Sequence, residues 1–175
     1  MLNTIKTVFG FIQASIEKYT PLKFSGDSIE GIYNYLQISE NIATSGQPTE
    51  TQFRAIKKEG YTTVINLAPA SVLENSLKAE PELLDELDLE YIHIPVDFKK
   101  PTTSNFNRFR HALEPLKNEK VWVHCAANMR VSAFIYRYRA SVLEEPENRI
   151  KADLEKIWSP VGVWSTFINK ARKTK

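Results

Sequence analysis

The single cysteine of the chain, Cys125, stands where a thiol could act as a nucleophile. It follows the buried strand Val121–Val123, and a helical pattern begins a few residues later. A loop that joins a strand to a helix N-terminus directs successive main-chain N–H groups at one point, which binds an anion and favours a thiolate over a thiol. Arg130 could then grip two phosphoryl oxygens with its planar guanidinium. The segment therefore predicts a nucleophile beside a phosphate-binding loop.

Other residues around Cys125 are predicted to shape the loop, to contact the sulfur or to bind phosphate. Asn128 lies in mid-loop, where a tight cradle needs positive φ, and asparagine tolerates that conformation. Ser132 could donate a hydrogen bond to the sulfur, and its alternative role is to open the helix. The residues predicted to bind phosphate are His124, Ala126, Ala127, Asn128, Met129 and Arg130.

An acid for the leaving group is the remaining requirement of the chemistry. Asp97 follows the predicted strand Glu90–Val96, so in a parallel sheet it emerges at the same edge as Cys125. The predicted mechanism has Cys125 attack phosphorus, Asp97 protonate the departing oxygen and then activate water, and Arg130 hold the phosphoryl group. It needs no metal or cofactor. The alternative interpretation of Asp97 is an ordinary turn residue.

Short β-branched runs alternate with helical patterns along the chain, which is typical of strands joined by crossover helices. The sequence therefore predicts an α/β fold with a central, mainly parallel sheet of four or five strands flanked by helices. Ligands bind such sheets beyond the carboxyl ends of the strands. The predicted strands are Leu36–Ser39, Ile42–Ser45, Thr63–Leu67, Glu90–Val96 and Val121–Val123.

Helix starts and one acidic helix complete this outline. Thr49 and Gln52 have the spacing of a capping box, and Thr103 or Ser104 could cap a later helix. The acidic stretch Ser71–Leu87 is interpreted as a solvated outer helix broken by a proline.

The N-terminal segment has apolar residues at helical spacing: Ile5, Val8, Phe9, Ile12 and Ile16. This pattern predicts a helix packed on the domain, and a membrane-surface helix is the alternative. We predict a helical extension over residues 1–30 and a single catalytic domain over 31–175. The apolar run is too short for an export signal or a membrane span, so we expect no membrane association.

Composition narrows the class of protein. The chain has 175 residues, of which 42% are hydrophobic and 25% charged, as in ordinary globular domains. Its formal charge of +2 provides no basic field for nucleic acid. One cysteine cannot form an internal disulfide, which favours a reducing compartment and predicts a cytoplasmic protein.

Four segments in a fixed order carry a resemblance to a known family. They are Ser45–Thr49 (SGQPT), Gly60–Leu67 (GYTTVINL), Ile92–Asp97 (IHIPVD) and His124–Ser132 (HCAANMRVS). Together they resemble the cysteine-based protein tyrosine phosphatases, in particular the compact dual-specificity group. A narrower similarity is to bacterial tyrosine-phosphatase-like domains, including those fused to β-lactamase-like hydrolases.

The resemblance implies a dual-specificity-phosphatase-like fold and hydrolysis of a phosphomonoester through a phosphocysteine. The expected partners are a phosphorylated protein or small molecule, and a phosphate or sulfate anion in the loop. The dual-specificity motif has five residues between cysteine and arginine, whereas only four separate Cys125 from Arg130. Either the loop is one residue shorter, or Val131 occupies the usual arginine position.

Two other functions stay open at this point. The altered loop could belong to a phosphate-binding module without turnover. The four-residue spacing also occurs in rhodanese-like sulfurtransferases, which carry a persulfide on their cysteine.

Overall fold

The computed structural model describes residues 2–19, 26–70, 77 and 79–170 of the chain. Within these residues it has an α/β fold in which helices cover both faces of one sheet. The strands are β1 (Leu36–Gln37), β2 (Ile42–Ser45), β3 (Thr63–Asn66), β4 (Glu90–His93) and β5 (Val121–His124). The helices are α1 (Leu2–Tyr19), α2 (Glu50–Lys58), α3 (Glu80–Glu86), α4 (Thr103–Leu113), α5 (Met129–Ser141), α6 (Glu147–Ile157) and α7 (Val163–Asn169).

The sheet has the strand order β1-β2-β5-β3-β4. The edge strand β1 runs antiparallel to β2, and the other neighbouring pairs are parallel. This confirms the predicted mainly parallel sheet of an α/β fold. The parallel strands all end at the same edge, which is where such sheets bind ligands.

Strand β5 lies at the centre of the sheet and sets the geometry of that edge. Its last residue, His124, is in register with Ser45 of β2 and with Asn66 of β3. Successive side chains of a strand point to opposite faces. Val123 and Cys125 accordingly belong to the core beneath α5, whereas Trp122 belongs to the core on the opposite face.

Capping boxes start two of the helices. Thr49 and Gln52 form the predicted one at α2. At α4 the predicted caps Thr103 and Ser104 were wrong, because the cap is Thr102, whose Oγ1 accepts from Asn105 N at 3.0 Å. The extended backbone of Thr102 lets its side chain turn back over the first turn of the helix.

The acidic stretch differs from its interpretation as a solvated helix. Helix α3 begins at Glu80, and Pro81 stands in its first turn instead of breaking it. The side chains of Glu82 and Glu86 are exposed as expected, but Glu80 is only 2% exposed. The interpretation was therefore wrong for Glu80, and residues 71–76 and 78 lie outside the described part of the chain.

Helix α1 packs on the domain with a different face from the apolar one that the sequence predicted. The apolar residues that were expected to face the domain are solvent-exposed, with Phe9 at 71% and Ile5 at 66%. Val8 and Ile12 are exposed as well, and the side chain of Ile16 is outside the described set.

Polar residues attach α1 to the domain instead. Asn3 Nδ2 donates to Glu155 O at 2.7 Å, and Thr7 Oγ1 donates to Ile157 O at 2.5 Å. Thr4 Oγ1 accepts from Ser159 N at 3.1 Å. Among the described residues, no helix has the length and apolar character needed to cross a bilayer.

Candidate active site

Cys125 follows β5 directly and lies on the wall of a cavity of about 290 Å³. The residue is 1% exposed, so its sulfur is reached through this cavity rather than from the open surface. The cavity is lined by Thr7, Val8, Phe11, Phe98, Cys125, Ala126, Ala127, Met129 and Arg130. Four of the residues predicted to bind phosphate thus share the cavity wall with the cysteine: Ala126, Ala127, Met129 and Arg130.

Asn128 sets the turn of the loop into helix α5. Its φ of +62° confirms the positive φ expected at this position. The side chain is fully buried, and Nδ2 donates to Asn34 O at 2.7 Å and to Thr44 Oγ1 at 3.0 Å. The conformation is therefore fixed from inside the protein, and Asn128 itself faces away from the cavity.

The segment before α2 holds the loop from its other side. Gln47 N donates to Ala126 O at 3.2 Å. A Cβ at Gly46 would lie 2.7 Å from Tyr33 Cδ1 and 3.0 Å from Ala126 O. Only glycine allows this close approach of the two chain segments.

Arg130 lines the cavity together with Cys125. The residue is 3% exposed, and its guanidinium carbon lies 5.2 Å from the centre of the Phe98 ring, a cation–π arrangement. Val131 is fully buried in the core beneath α5. Of the two registers left open by the sequence, the structure thus has the short loop with Arg130 at the cavity.

Asp97 lies at the predicted edge of the sheet but is not part of the cavity wall. Its side chain is exposed, and its Oδ1 accepts from Lys99 N at 2.8 Å. Lys100 N donates to Asp97 O at 3.1 Å, which closes a turn. In this conformation the carboxylate serves as the turn residue that sequence reasoning gave as the alternative.

Phe98, which sequence reasoning missed, faces the cavity in place of Asp97. Its main-chain oxygen accepts from Trp164 Nε1 at 2.8 Å. Its ring lies 5.3 Å from that of Trp164 and 5.9 Å from that of Trp158. The two tryptophans thus anchor the loop that carries Asp97. The sequence feature that could have indicated its role is its position directly after the candidate acid Asp97.

The Ser132 hydroxyl is paired away from the sulfur, and the His124 side chain, which was predicted to bind phosphate, is not part of the cavity wall. Ser132 Oγ donates to Met129 O and accepts from Trp158 Nε1, both at 3.1 Å. The His124 ring is fully buried on the opposite face of the sheet, where its Nε2 lies 3.2 Å from Glu80 Oε1. Sequence reasoning missed Glu80, because an acidic stretch does not reveal which carboxylate turns inward.

Helix α1 forms the remaining wall of the cavity through Thr7, Val8 and Phe11. The Tyr33 hydroxyl donates to Thr7 O, and Asn34 Nδ2 donates to both Thr7 Oγ1 at 3.3 Å and Ala127 O at 3.0 Å. Burial raises the pKa of Tyr33 well above its ordinary value, so this hydroxyl stays a neutral donor. The turn at residues 33–34 therefore joins α1 to the phosphate-binding loop.

Over residues 2–19, 26–70, 77 and 79–170 there is no group of three or more His, Cys, Asp or Glu side chains placed to hold a metal ion.

Comparisons with known proteins agree with this geometry. The family model described as "DSP-PTPase phosphatase fused to NAD+ Kinase" matches residues 13–160. The Beta-lactamase hydrolase-like protein of Xylella fastidiosa (strain Temecula1 / ATCC 700964) is 30% identical over 97 residues. That match covers 54% of this chain and 22% of the relative, so the chain spans only about a fifth of that protein's length.

Solved structures share the fold. A DUF442 protein from Shewanella putrefaciens CN-32 superposes with a TM-score of 0.72 at 29% identity, covering 82% of this chain and 93% of that one. The core catalytic domain of the PP-IP phosphatase Siw14 from S. cerevisiae, in complex with citrate, gives a TM-score of 0.63 at 15% identity. It covers 79% of this chain and 85% of that one, and at this identity the likeness concerns the fold alone.

The family match extends over most of the chain, from within α1 to beyond α6, and includes the whole sheet and the loop after β5. The chain therefore belongs to the DSP-PTPase phosphatase family, a group of phosphatase hydrolases.

Proposed function

We propose that this protein hydrolyses a phosphomonoester through a covalent cysteine intermediate. The observation that carries the proposal is the shared cavity wall of Cys125 and Arg130 at the carboxyl end of the central strand, in a chain of the phosphatase family. Main-chain N–H groups at a helix start have no partners within the helix. Those at the start of α5 support the binding of phosphoryl oxygens beside the sulfur.

The proposed reaction has two steps. The Cys125 thiolate attacks phosphorus, the bond from phosphorus to the ester oxygen breaks, and Asp97 gives that oxygen its proton. Water then attacks phosphorus, the sulfur–phosphorus bond breaks, and the Asp97 carboxylate takes up the proton from water. Arg130 counters the charge on the equatorial oxygens in both transition states.

Asp97 has to leave its turn to act as the acid. Its carboxyl is exposed and one residue away from Phe98, which lies on the cavity wall. Rotation of the Asp97 side chain out of its contact with Lys99 N would free the carboxyl to meet a leaving group. Catalytic contacts are often incomplete before substrate binds, which is consistent with this geometry.

The test is hydrolysis of an aryl phosphate between about pH 5 and 8, the range in which such acids and thiolates operate. We expect the wild-type chain to turn over and Cys125→Ser to lose turnover while it keeps its circular dichroism spectrum. Rapid acid quenching should trap phosphate on Cys125, detected by mass spectrometry. Equal rates for wild type and Cys125→Ser would overturn the proposal.

A phosphate-binding module is the second candidate, favoured by the positions of Asp97 and Ser132 away from the sulfur. It predicts that phosphate binds equally well to wild type and to Cys125→Ser and that neither turns over. Titration calorimetry with inorganic phosphate measures the binding. The sulfurtransferase alternative stays a prediction, and sulfur added to Cys125 by thiosulfate would favour it.

A further inference from the structure

Helix α1 contributes three residues to the wall of the Cys125 cavity: Thr7, Val8 and Phe11. Phe11 lies three positions after Val8 and four after Thr7, so the three side chains share one face of the helix. The family match begins at residue 13, so this part of the wall lies outside the segment that the chain shares with the family model. Membership of the family therefore does not account for what these three residues do.

Helix α1 is held at a fixed position beside the phosphate-binding loop. The Tyr33 hydroxyl donates to Thr7 O. A Cβ at Gly10 would lie 2.5 Å from Tyr33 Cε2, so only glycine lets the helix lie this close to the tyrosine ring. Asn34 Nδ2 donates to Thr7 Oγ1 at 3.3 Å and also to Ala127 O in the loop at 3.0 Å. The helix therefore keeps its other two wall residues at a set place in the cavity.

The described residues of the cavity wall fall into two chemical groups. Arg130 and the main-chain N–H groups of the loop after β5 suit a phosphoryl group. The other large side chains are apolar: Val8, Phe11, Phe98 and Met129. Among the described residues of this wall, Arg130 is the only one with a charged side chain. The alcohol part of a substrate that binds through its phosphoryl group therefore meets apolar side chains.

The size of the cavity limits what that alcohol can be. Its volume of about 290 Å³ is close to the lower limit for small-molecule sites. An apolar cavity of about 150 Å³ is large enough for benzene, so this one has room for one phosphoryl group and one ring. A second phosphoryl group would lie against apolar side chains, where a charge without a partner is costly.

We propose that Val8 and Phe11 are specificity-determining residues that contact the alcohol part of the substrate. With the rest of the wall they select singly phosphorylated compounds whose alcohol is apolar and about the size of one ring. The proposal rests on the proposed function in taking Arg130 and the loop as the phosphoryl site. Phe11 is half-buried and Val8 is 51% exposed, so Val8 stands nearer the open side of the cavity.

The first test measures binding by titration calorimetry in the Cys125→Ser background, which removes the nucleophile. Phe11→Ala takes away apolar contact with a phenyl ring and leaves the phosphoryl site unchanged. We expect the Kd of phenyl phosphate to rise about tenfold, equivalent to about 1.4 kcal/mol, and the Kd of inorganic phosphate to change less than about twofold. Hydrogen exchange of the α1 amides checks that the helix keeps its position.

Phe9→Ala is the matched control for this test. Phe9 belongs to the same helix, but it is 71% exposed and is not part of the cavity wall. We expect its Kd values for phenyl phosphate and for inorganic phosphate to equal those of the background chain.

The second test adds a cation at the open side of the cavity. Val8→Lys places an ammonium group where it can meet a second phosphoryl group, and the exposed position lets the lysine stay in water. We expect the affinity for 1,4-phenylene bisphosphate, relative to phenyl phosphate, to rise about fivefold at low salt and less at high salt. Leu143→Lys adds the same charge beyond the far end of α5, on the order of 20 Å away, and should leave this ratio unchanged.

The outcomes separate this proposal from the proposed function. A folded Phe11→Ala chain with equal changes for phenyl phosphate and inorganic phosphate would overturn the specificity proposal. An affinity ratio for Val8→Lys equal to that for Leu143→Lys would also overturn it, and this result decides the matter if Phe11→Ala does not fold. The expected binding pattern in a wild-type chain that hydrolyses no phenyl phosphate would count only against the proposed function.

Discussion

The two sides of the Cys125 loop are built differently. The side toward the sheet, here called the inner side, consists of buried, hydrogen-bonded residues: Thr44, Gln47, Asn66, Glu80 and Asn128. The side toward the cavity mouth, here called the outer side, consists of residues from α1 and from the loop after β4: Thr7, Val8, Phe11, Asp97 and Phe98.

This contrast separates two tasks. The inner side fixes the loop conformation, so substitutions of its residues should reduce the free energy of unfolding. The outer side determines which molecules reach the sulfur and which residue supplies the proton. Substitutions there should therefore change the rate of hydrolysis and leave the free energy of unfolding nearly unchanged. Active sites commonly place such adaptable residues on exposed segments above a rigid scaffold.

Arg130 lies where the two sides meet and gives the largest expected effect. Arg130→Met keeps much of the buried volume but removes the cation that faces the phosphoryl group. We expect kcat/KM for an aryl phosphate to fall about a thousandfold, the scale of losing a preorganised oxyanion donor. Arg108→Met, at an exposed position of α4, is the control and should retain activity. A decrease in kcat/KM of less than tenfold would show that Arg130 does not contact the phosphoryl group in the transition state.

Asn128 tests the inner side. Asn128→Ala puts a less tolerant residue at a φ of +62° and removes the two hydrogen bonds that the side-chain amide donates. We expect the free energy of unfolding, from urea titration, to fall by about 3 kcal/mol. Asn128→Gly relieves the backbone strain and should recover about 1 kcal/mol of that loss. Unchanged stability in both variants would break the contrast between the two sides.

Asp97 tests the outer side. Asp97→Asn preserves the acceptor for Lys99 N but cannot donate a proton as an acid. We expect kcat to fall about a hundredfold for substrates with poor leaving groups and less for good ones. The urea midpoint should stay within error of wild type, because the side chain is exposed. Equal losses for good and poor leaving groups would argue against an acid at this position.

The pH dependence of stability gives the smallest expected effect. The pKa of Glu80 is lower in the folded chain than its ordinary value of 4.5. Its carboxylate therefore stabilises the fold above about pH 4.5, and this contribution is lost as the pH falls through the lowered pKa. Urea unfolding between pH 7 and pH 3 should show a shallower acid limb for Glu80→Gln than for wild type. Identical limbs would show that the inner side does not depend on this charge.

Local patterns predicted the part of the site that is continuous in sequence. Cys125, Asn128 and Arg130 lie within six residues, so one strand–loop–helix transition brings them together. The alternation of strands and helices likewise predicted the parallel sheet, because a helix between two strands carries the chain back to the edge at which the first strand began. The positive φ at Asn128 followed from the tolerance of asparagine for that region.

Contacts between distant segments escaped prediction. In the sequence Glu80 is one of several acids of a predicted surface helix, and only its contacts with Gln47 and Asn66 show that it turns inward. Periodicity identified α1 as a helix but could not tell which face meets the domain. Asn3 and Thr7 are bound by main-chain oxygens of residues near the end of α6, which a sequence pattern cannot place.

The polar attachment of α1 has a consequence for how this site can diverge. A net hydrogen bond contributes only about 1 kcal/mol, far less than the burial of a large apolar face. Exchanging Thr4 or Thr7 would thus shift α1 relative to the end of α6 at little cost to the sheet. The width of the cavity entrance can therefore change while the core stays the same.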